Sequence, residues 1–265
     1  MALTKFKMES GVQLLARLFK KTDNVKNFYT PLFQTGLKFG EIIEMYSQIS
    51  LTPLITDIIC EALLPSNLGG PHLNILLICT DGNMDFNMLL SCLRKKLLDK
   101  IPLCTDIDID KLIQDVLNNL AIYKVYDATQ FYTTIHKIES IMIEYPDTSL
   151  IIFHTLTAFY WSEQGFKITK MDFYIKNLLK LIRKITKDYK ITLFYTRPEY
   201  FSSSKDTIEN LETSSEHSAV DKVNCRIQLL HVDDCKNYQV NVNNFDSHYT
   251  KYFNITDNHS LNWIS

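Results

Sequence analysis

The sequence predicts an α/β fold, with a mostly parallel twisted sheet flanked by helices and an antiparallel extension at its C-terminal end. Three observations support this prediction. Short runs rich in β-branched and other apolar residues recur along the chain. Stretches with helical spacing separate the later runs. Beyond residue 222 the helical stretches stop and short strand-like runs follow one another. Alternating strands and helices are typical of a parallel sheet covered on both faces.

The parallel strands are predicted in five apolar runs, and helices are predicted between the later ones. The strands are Glu41–Tyr46, Asn74–Thr80, Ala121–Tyr126, Leu150–His154 and Ile191–Thr196. The helices are Met84–Leu98, Ile109–Asn119, Thr129–Tyr145 and Met171–Asp188. In the last helix the apolar residues repeat at intervals of three and four, which predicts a single stripe facing the core.

The C-terminal part is predicted to be a flexible polar loop followed by short strands. The loop spans 199–222 and is rich in Ser and Glu. The strands after it are joined by Asn and Asp turns and are Cys225–His231, Tyr238–Asn243, Tyr252–Ile255 and Leu261–Ile264. We therefore expect an N-terminal arm at 1–9 and one domain at 10–265.

Composition limits the classes of function. The 265 residues, 46% of them hydrophobic, are enough for one sizeable α/β domain. The 28 basic and 30 acidic residues give a formal net charge of -2, so no overall positive field indicates nucleic acid as a direct partner. The six cysteines form no CxxC pair, so we expect no metal site. Since no run approaches about 20 apolar residues, we also expect a soluble intracellular protein without membrane contact.

Three segments carry a resemblance to a known family. They are Glu9–Leu18, then Leu64–Gly70 with the following strand and Asp81, and Leu150–Trp161. In order and spacing, from about residue 6 to about residue 200, the chain resembles the X-ray-repair cross-complementing group of eukaryotic recombinase paralogues. The resemblance implies a RecA-like P-loop ATPase core, and a role in homologous recombination together with other RecA-type recombinase paralogues.

The phosphate-binding loop of that family is degenerate in this chain. In the family, the first strand leads into a glycine-rich loop that ends in Lys and Ser or Thr. There the backbone N–H groups wrap the phosphates, the Lys meets the outer phosphates and the hydroxyl holds Mg²⁺. This chain has neither glycine nor lysine in the segment, which looks about two residues shorter, and its proline lacks an N–H. We therefore predict that no nucleotide cofactor is bound by this segment, which is Ser47, Gln48, Ile49, Ser50, Leu51, Thr52, Pro53 and Leu54.

Two further positions of the implied nucleotide site are also altered or ambiguous. His154 ends the strand at the point where the family has the Asp that orients the Mg²⁺ shell. A hydrogen-bonded core histidine is the interpretation that we favour, and a metal ligand is the other. Asp81 keeps a carboxylate where RecA-type ATPases place the Glu that orients the attacking water, but an Asp that forms a turn before Gly82 is the simpler interpretation.

Partner contacts are predicted in the N-terminal arm. The resemblance implies an extended linker with Phe-x-x-Ala that adds a strand to the sheet of a neighbouring subunit. The arm offers Phe6 as the anchor, but Met8 or Glu9 stands where the family has a small residue. A disordered terminus with one exposed Phe is the alternative.

Direct DNA contact has one candidate surface. Basic side chains repeat along the last predicted helix and form a ridge, for which a solvated outer face is the plainer explanation. The ridge consists of Lys176, Lys180, Arg183, Lys184 and Lys187. The aromatic run Phe159–Trp161 could stack on bases, although packing under the sheet or against a partner fits a position after a buried strand better.

These observations predict a pseudo-ATPase, a non-catalytic subunit of a recombinase-paralogue complex in the nucleus, with a cytoplasmic pool, that meets DNA through the complex. One alternative is an ATPase that completes a nucleotide site with a partner's P-loop and contributes Asp81 or Arg197 in trans. Another is a clamp for single-stranded DNA built on the basic ridge. The acidic run Asp106–Asp110 lacks the Gly and Glu of a calcium loop and is predicted to cap the helix after it.

Overall fold

The computed structural model describes residues 11, 28–34, 36–82, 84–102, 106–164, 170–186, 189–199, 223–233, 237–244, 247–256 and 260–264. Several predicted features lie outside these residues. They are the arm at 1–9 with Phe6 and Met8, nearly all of the 199–222 loop, and Lys187.

A nine-stranded sheet forms the centre of the molecule, in the order β3-β2-β4-β5-β1-β6-β7-β8-β9. All the predicted strands are present, with ends shifted by a few residues. The strands are β1 (Ile42–Ser47), β2 (Asn74–Cys79), β3 (Leu120–Lys124), β4 (Thr148–His154), β5 (Thr192–Pro198), β6 (Cys225–Asp233), β7 (Asn237–Asn244), β8 (Ser247–Ile255) and β9 (Leu261–Ile264).

The sheet changes direction one strand later than predicted. Strands β1 to β6 are mutually parallel, whereas β7, β8 and β9 add antiparallel hairpins. The first strand after the polar loop, β6, was expected in the antiparallel extension but pairs in parallel with β1, with Ile43 opposite Cys225. The long connection between β5 and β6 accounts for the parallel pairing. It allows the chain to return to the edge of the sheet where the parallel strands begin, as a parallel crossover requires.

Helices cover both faces of the sheet. They are α1 (Thr52–Leu63), α2 (Phe86–Lys100), α3 (Asp106–Leu117), α4 (Ala128–Glu144), α5 (Tyr160–Glu163) and α6 (Met171–Thr186), with a 3₁₀ turn at Ser66–Leu68. Two helices start at an aspartate cap, since Asp85 accepts hydrogen bonds from two backbone N–H groups and Asp127 accepts one from Gln130. Asp106 and Asp108 lie in the first turn of α3, where they complement the helix dipole.

The first helix corrects the predicted extent of the degenerate loop. Thr52, Pro53 and Leu54 were expected in the loop, but they form the first turn of α1. Proline is tolerated at this position because the N–H groups of the first helical turn have no partner within the helix. Ser47, also expected in the loop, is the last residue of β1. The loop between β1 and α1 is therefore reduced to four residues, 48–51.

Two hydrophobic cores lie on opposite faces of the sheet. One packs the sheet against α1, α2, α3 and the segment around Phe28, and the other packs it against α4 and α6. Alternation along β1 follows from the strand period, since Ile43 and Met45 enter the first core and Ile42 the second. In the parts of the chain that the structure describes, no helix combines the length and the apolar character needed to cross a bilayer.

This topology fixes where a site can form. The carboxyl ends of β1, β2, β4 and β5 meet at one edge of the sheet, and in open α/β sheets that edge carries the ligand sites. Strand β5 lies between β1 and β4. The start of α1, the end of β4 and the end of β5 are therefore neighbours. The fold is α/β and consistent with a RecA-like core.

Candidate functional site

A polar network occupies the carboxyl edge of the parallel strands. It joins the start of α1, the residues after β2, and the ends of β4 and β5. Its members are Ser50, Thr52, Thr80, Asp81, His154, Thr155 and Thr196. The structure thus brings two residues of the predicted loop, Ser50 and Thr52, together with Asp81 and His154.

His154 lies at the centre of the network and is 4% exposed. Its Nε2 lies 3.3 Å from the Thr52 hydroxyl, and its Nδ1 lies 3.2 Å from the Thr196 hydroxyl. Burial lowers the pKa of His154, while Asp81, whose carboxylate is 3.9 Å from Nδ1, opposes that effect. A neutral ring with one donor and one acceptor nitrogen matches two hydroxyl partners. The geometry fits the interpretation of a hydrogen-bonded core histidine.

Asp81 is tied into the network through Thr155. The Thr155 hydroxyl donates to Asp81 Oδ2 at 2.9 Å and lies 3.3 Å from the Thr196 hydroxyl. The Thr155 backbone N–H donates to the Thr80 hydroxyl at 2.7 Å, and that hydroxyl donates to the Thr155 carbonyl. The peptide bond between His154 and Thr155 is cis. Gly82 follows in the left-handed region at φ 71°.

The loop between β1 and α1 is filled by its own hydrogen bonds. The Ser47 hydroxyl donates to the Leu229 carbonyl of β6 at 2.7 Å and accepts from the Ile49 N–H at 3.0 Å. The Ser50 hydroxyl donates to the Thr52 hydroxyl at 3.0 Å and accepts from the Thr52 N–H at 3.3 Å. Two backbone N–H groups of this segment, those of Ile49 and Thr52, are therefore engaged by side chains of this chain.

These residues do not fit a magnesium triphosphate. A P-loop needs glycines for the close approach of its backbone and a Lys for the outer phosphates, and the four residues 48–51 supply neither. The hydroxyl at the start of α1, which would hold Mg²⁺, instead contacts His154. Mg²⁺ prefers oxygen ligands, whereas the end of β4 presents a neutral imidazole.

Arg197, a residue that could act on a partner's nucleotide, is held by its own chain. Its Nε lies 2.7 Å from Glu44 Oε1, and its guanidinium lies 4.8 Å from the centre of the Tyr46 ring. Arg226 completes the cluster with its Nε 3.0 Å from Glu44 Oε2. Glu44 is 3% exposed, so its carboxylate depends on these two arginines for compensation.

The predicted basic ridge on α6 is uneven. Lys180 and Lys184 are exposed, whereas Lys176 and Arg183 are partly buried. Arg183 Nη1 donates to the Gly40 carbonyl at 2.8 Å, which docks the helix onto the chain two residues before β1. The fifth member lies outside the described residues. The ridge therefore includes a basic side chain with a structural contact.

The aromatic run after β4 divides into a buried and an exposed part. Tyr160 is buried, and its ring centre lies 5.3 Å from that of Tyr174. Phe159 packs on Phe131 with their ring centres 5.5 Å apart. Trp161 is 62% exposed. Packing under the sheet therefore accounts for two of the three residues.

Sequence reasoning did not single out Thr80, Thr155, Thr196 or Glu44 as site residues. A signal for the threonines exists, because each stands at the carboxyl end of an apolar strand or directly after it. Polar residues at several such ends predict a cluster once the strands are known to be parallel. Glu44 interrupts the apolar run of β1, and a buried carboxylate within a strand predicts a basic partner on a neighbouring strand.

Comparison with known proteins shows that the chain is similar to a curated DNA repair protein. The chain is 23% identical over 238 residues to the DNA repair protein XRCC2 of Mus musculus, covering 87% of this chain and 80% of that protein. No protein-family model matches the chain. Over most of its length the chain is therefore XRCC2-like, in agreement with its motifs and with a fold consistent with a RecA-like core.

Proposed function

We propose that the chain is a non-catalytic subunit of a complex of RecA-type recombinase paralogues, and that this complex supports the repair of DNA double-strand breaks by homologous recombination. The likeness to a DNA repair protein supports the repair role. We place the complex in the nucleus because its substrate is chromosomal DNA, and a cytoplasmic pool is compatible with this placement. In this proposal the chain contacts DNA through the complex.

The observation that carries the non-catalytic part of this proposal is the contact between Thr52 and His154. In P-loop ATPases two side chains hold Mg²⁺ at this place in the fold. Thr52 corresponds to the hydroxyl residue at the start of the helix, and His154 corresponds to the carboxylate residue at the end of the strand. In this chain they are 3.3 Å apart and contact each other. The sheet of the ATPase core is kept, but its nucleotide site is filled by side chains of the same chain. Such a core can still bind partner subunits as a scaffold.

Reconstitution of the complex tests the proposal. The untagged chain would be co-expressed with each tagged RecA-type paralogue in turn, with a tagged unrelated protein as control. We expect the chain to co-purify stably with at least one paralogue. The two proteins should be present in equal amounts, whether or not Mg-ATP is added. Failure to associate with any paralogue would contradict the proposed role.

The ATPase rate of that complex tests the catalytic alternative. Asp81→Asn would alter a carboxylate that a shared nucleotide site could use, whereas Asp147→Asn changes an exposed carboxylate at the opposite edge of the sheet. We expect both variants to leave the rate per complex unchanged. A rate reduced about tenfold or more by Asp81→Asn alone, the size of a lost catalytic contribution, would establish an enzymatic role.

A further inference from the structure

We infer that the contact between His154 and Thr52 replaces the link that Mg²⁺ and nucleotide make in P-loop ATPases, so that α1 is held against β4 and β5 without any ligand. The inference rests on the proposed function, because a chain that bound nucleotide at this point would not need such a link. It assigns to His154 a positioning role in a ligand-independent core.

The two residues occupy matching places in the site. Thr52 is the first residue of the helix that follows β1, and His154 is the last residue of β4. In a P-loop ATPase the corresponding hydroxyl and carboxylate both act on the metal ion, so the metal joins the helix to the strand. The imidazole is longer than a carboxylate side chain, and its Nε2 comes within 3.3 Å of the hydroxyl directly.

The other side of the ring is anchored as well. His154 Nδ1 lies 3.2 Å from the Thr196 hydroxyl on β5, which is buried. A buried ring nitrogen without a partner would be costly, and here both nitrogens have one. The ring thus connects three elements, α1, β4 and β5, through two hydroxyl contacts.

The connection extends beyond the histidine in both directions. On the α1 side, the Ser50 hydroxyl contacts Thr52 at 3.0 Å and couples the short loop to the helix start. On the other side, the Thr196 hydroxyl contacts the Thr155 hydroxyl, which in turn donates to Asp81 after β2. The middle of this series of contacts, at Thr52, His154, Thr155 and Thr196, is buried, where hydrogen bonds strengthen one another. The loss of one contact should therefore loosen its neighbours.

Hydrogen–deuterium exchange of the purified full-length chain tests the inference. Thr52→Val removes the hydroxyl with little change of shape, and His154→Asn retains an amide near the Nδ1 position but no group at Nε2. We expect each variant to speed amide exchange in the first turn of α1 by about fivefold to tenfold, the effect of one hydrogen bond. His154→Gln and Thr52→Ser, which keep groups that can restore the contact, should exchange like the wild type.

Two internal controls separate a local effect from general loosening. Thr186→Val removes a buried hydroxyl that bonds within α6, and it should leave α1 unchanged. Exchange along β7, far from the site, should stay constant in every variant. The double variant Thr52→Val with His154→Asn should exchange no faster than the more affected single variant, because both changes break the same contact.

The outcomes distinguish this inference from the proposed function. The inference alone would be overturned if Thr52→Val and His154→Asn changed the exchange rate at α1 no more than Thr186→Val does. The inference would also be overturned if the increase in exchange rate in the double variant equalled the product of the increases in the two single variants. Protection of α1 in the wild-type chain by Mg-ATP would instead overturn the proposed non-catalytic function. Local loosening in both single variants without any nucleotide effect supports both.

Discussion

Arg197 on β5 lies 2.7 Å from Glu44 on β1, and Arg226 on β6 approaches the same carboxylate at 3.0 Å from the other side. The three residues join three parallel strands, and Glu44 lies within β1, opposite Arg226 of β6. Because Glu44 is buried, its charge is compensated chiefly by these two arginines. The geometry therefore assigns Arg197 a structural role in its own chain.

Glu44→Ala should destabilise the fold by about 2–4 kcal/mol, because it leaves two basic side chains without their shared partner in a partly buried place. The free energy of unfolding would be measured by urea denaturation. Glu144→Ala, at an exposed position on α4, should change it by less than about 0.5 kcal/mol. Equal effects of the two substitutions would contradict the structural role of the cluster.

A second buried carboxylate fixes α1 to α2 on the opposite face of the sheet. Asp57 is 2% exposed, accepts a hydrogen bond from the Tyr29 hydroxyl at 2.5 Å, and lies 3.1 Å from the Lys96 ammonium group. Burial alone would lower the pKa of Lys96, but Asp57 and Glu61 outweigh burial and raise it. The ammonium group therefore stays charged and compensates the buried carboxylate.

Lys96→Met should reduce the free energy of unfolding by about 3 kcal/mol, because Asp57 would be left buried without its cation. Adding Asp57→Asn to that variant should recover a large part of the loss, since the neutral amide needs no cation. A thermal or urea double-mutant cycle measures the coupling. Additive effects of the two substitutions would show that the pair does not interact.

The buried histidine should give the fold a pH dependence of known sign. Burial lowers the pKa of His154 in the folded chain below its value of about 6.5 in the unfolded chain, with Asp81 opposing the shift. The unfolded chain therefore takes up the proton first as the pH falls. The stability that the neutral ring contributes is fully present above about pH 6.5 and is lost as the pH falls through the folded pKa.

The comparison of wild type with His154→Asn isolates this contribution. The wild type should be more stable near pH 7, and its advantage should shrink as the pH falls below about 6.5. Urea denaturation at a series of pH values measures the difference. An advantage that grows as the pH falls would mean that the folded state favours the protonated ring, contrary to the neutral ring described above.

The arm at 1–9 gives a prediction about partners. The resemblance to the recombinase paralogues implies that Phe6 fills a pocket on a neighbouring subunit, as buried aromatic anchors at interfaces do. Deleting residues 2–9, or changing Phe6→Ala, should weaken binding to a paralogue by at least about tenfold. Lys5→Ala serves as a control within the arm. Unchanged affinity after the deletion would remove the arm from the interface.

The strands were predictable because their apolar runs are bounded by polar turns, but α1 was not. Helix α1 has buried residues on every side, including Ile55, Ile58 and Cys60, so its sequence lacks the apolar stripe that marks a helix. The start of β4 was missed for a different reason. Thr148 and Ser149 are polar yet buried, because their hydroxyls donate to the carbonyls of Tyr145 and Asp147.

The members of the site were predictable one by one, whereas their contacts were not. His154 and Thr52 stand out against the family pattern, but their meeting depends on β5 lying between β1 and β4. Thr196 enters the site through the same strand order. Likewise, the parallel direction of β6 follows from its pairing with β1 and has no signature in its own sequence. Contacts of this kind belong to the tertiary arrangement.

Titration of Mg-ATP into the purified chain by isothermal calorimetry tests the non-catalytic role most directly, with an intact P-loop ATPase of the RecA type as positive control. We predict no saturable binding up to about 1 mM nucleotide, because the four-residue loop and the contact between Thr52 and His154 leave no phosphate cradle. Saturable binding that disappears when Mg²⁺ is removed would contradict the account.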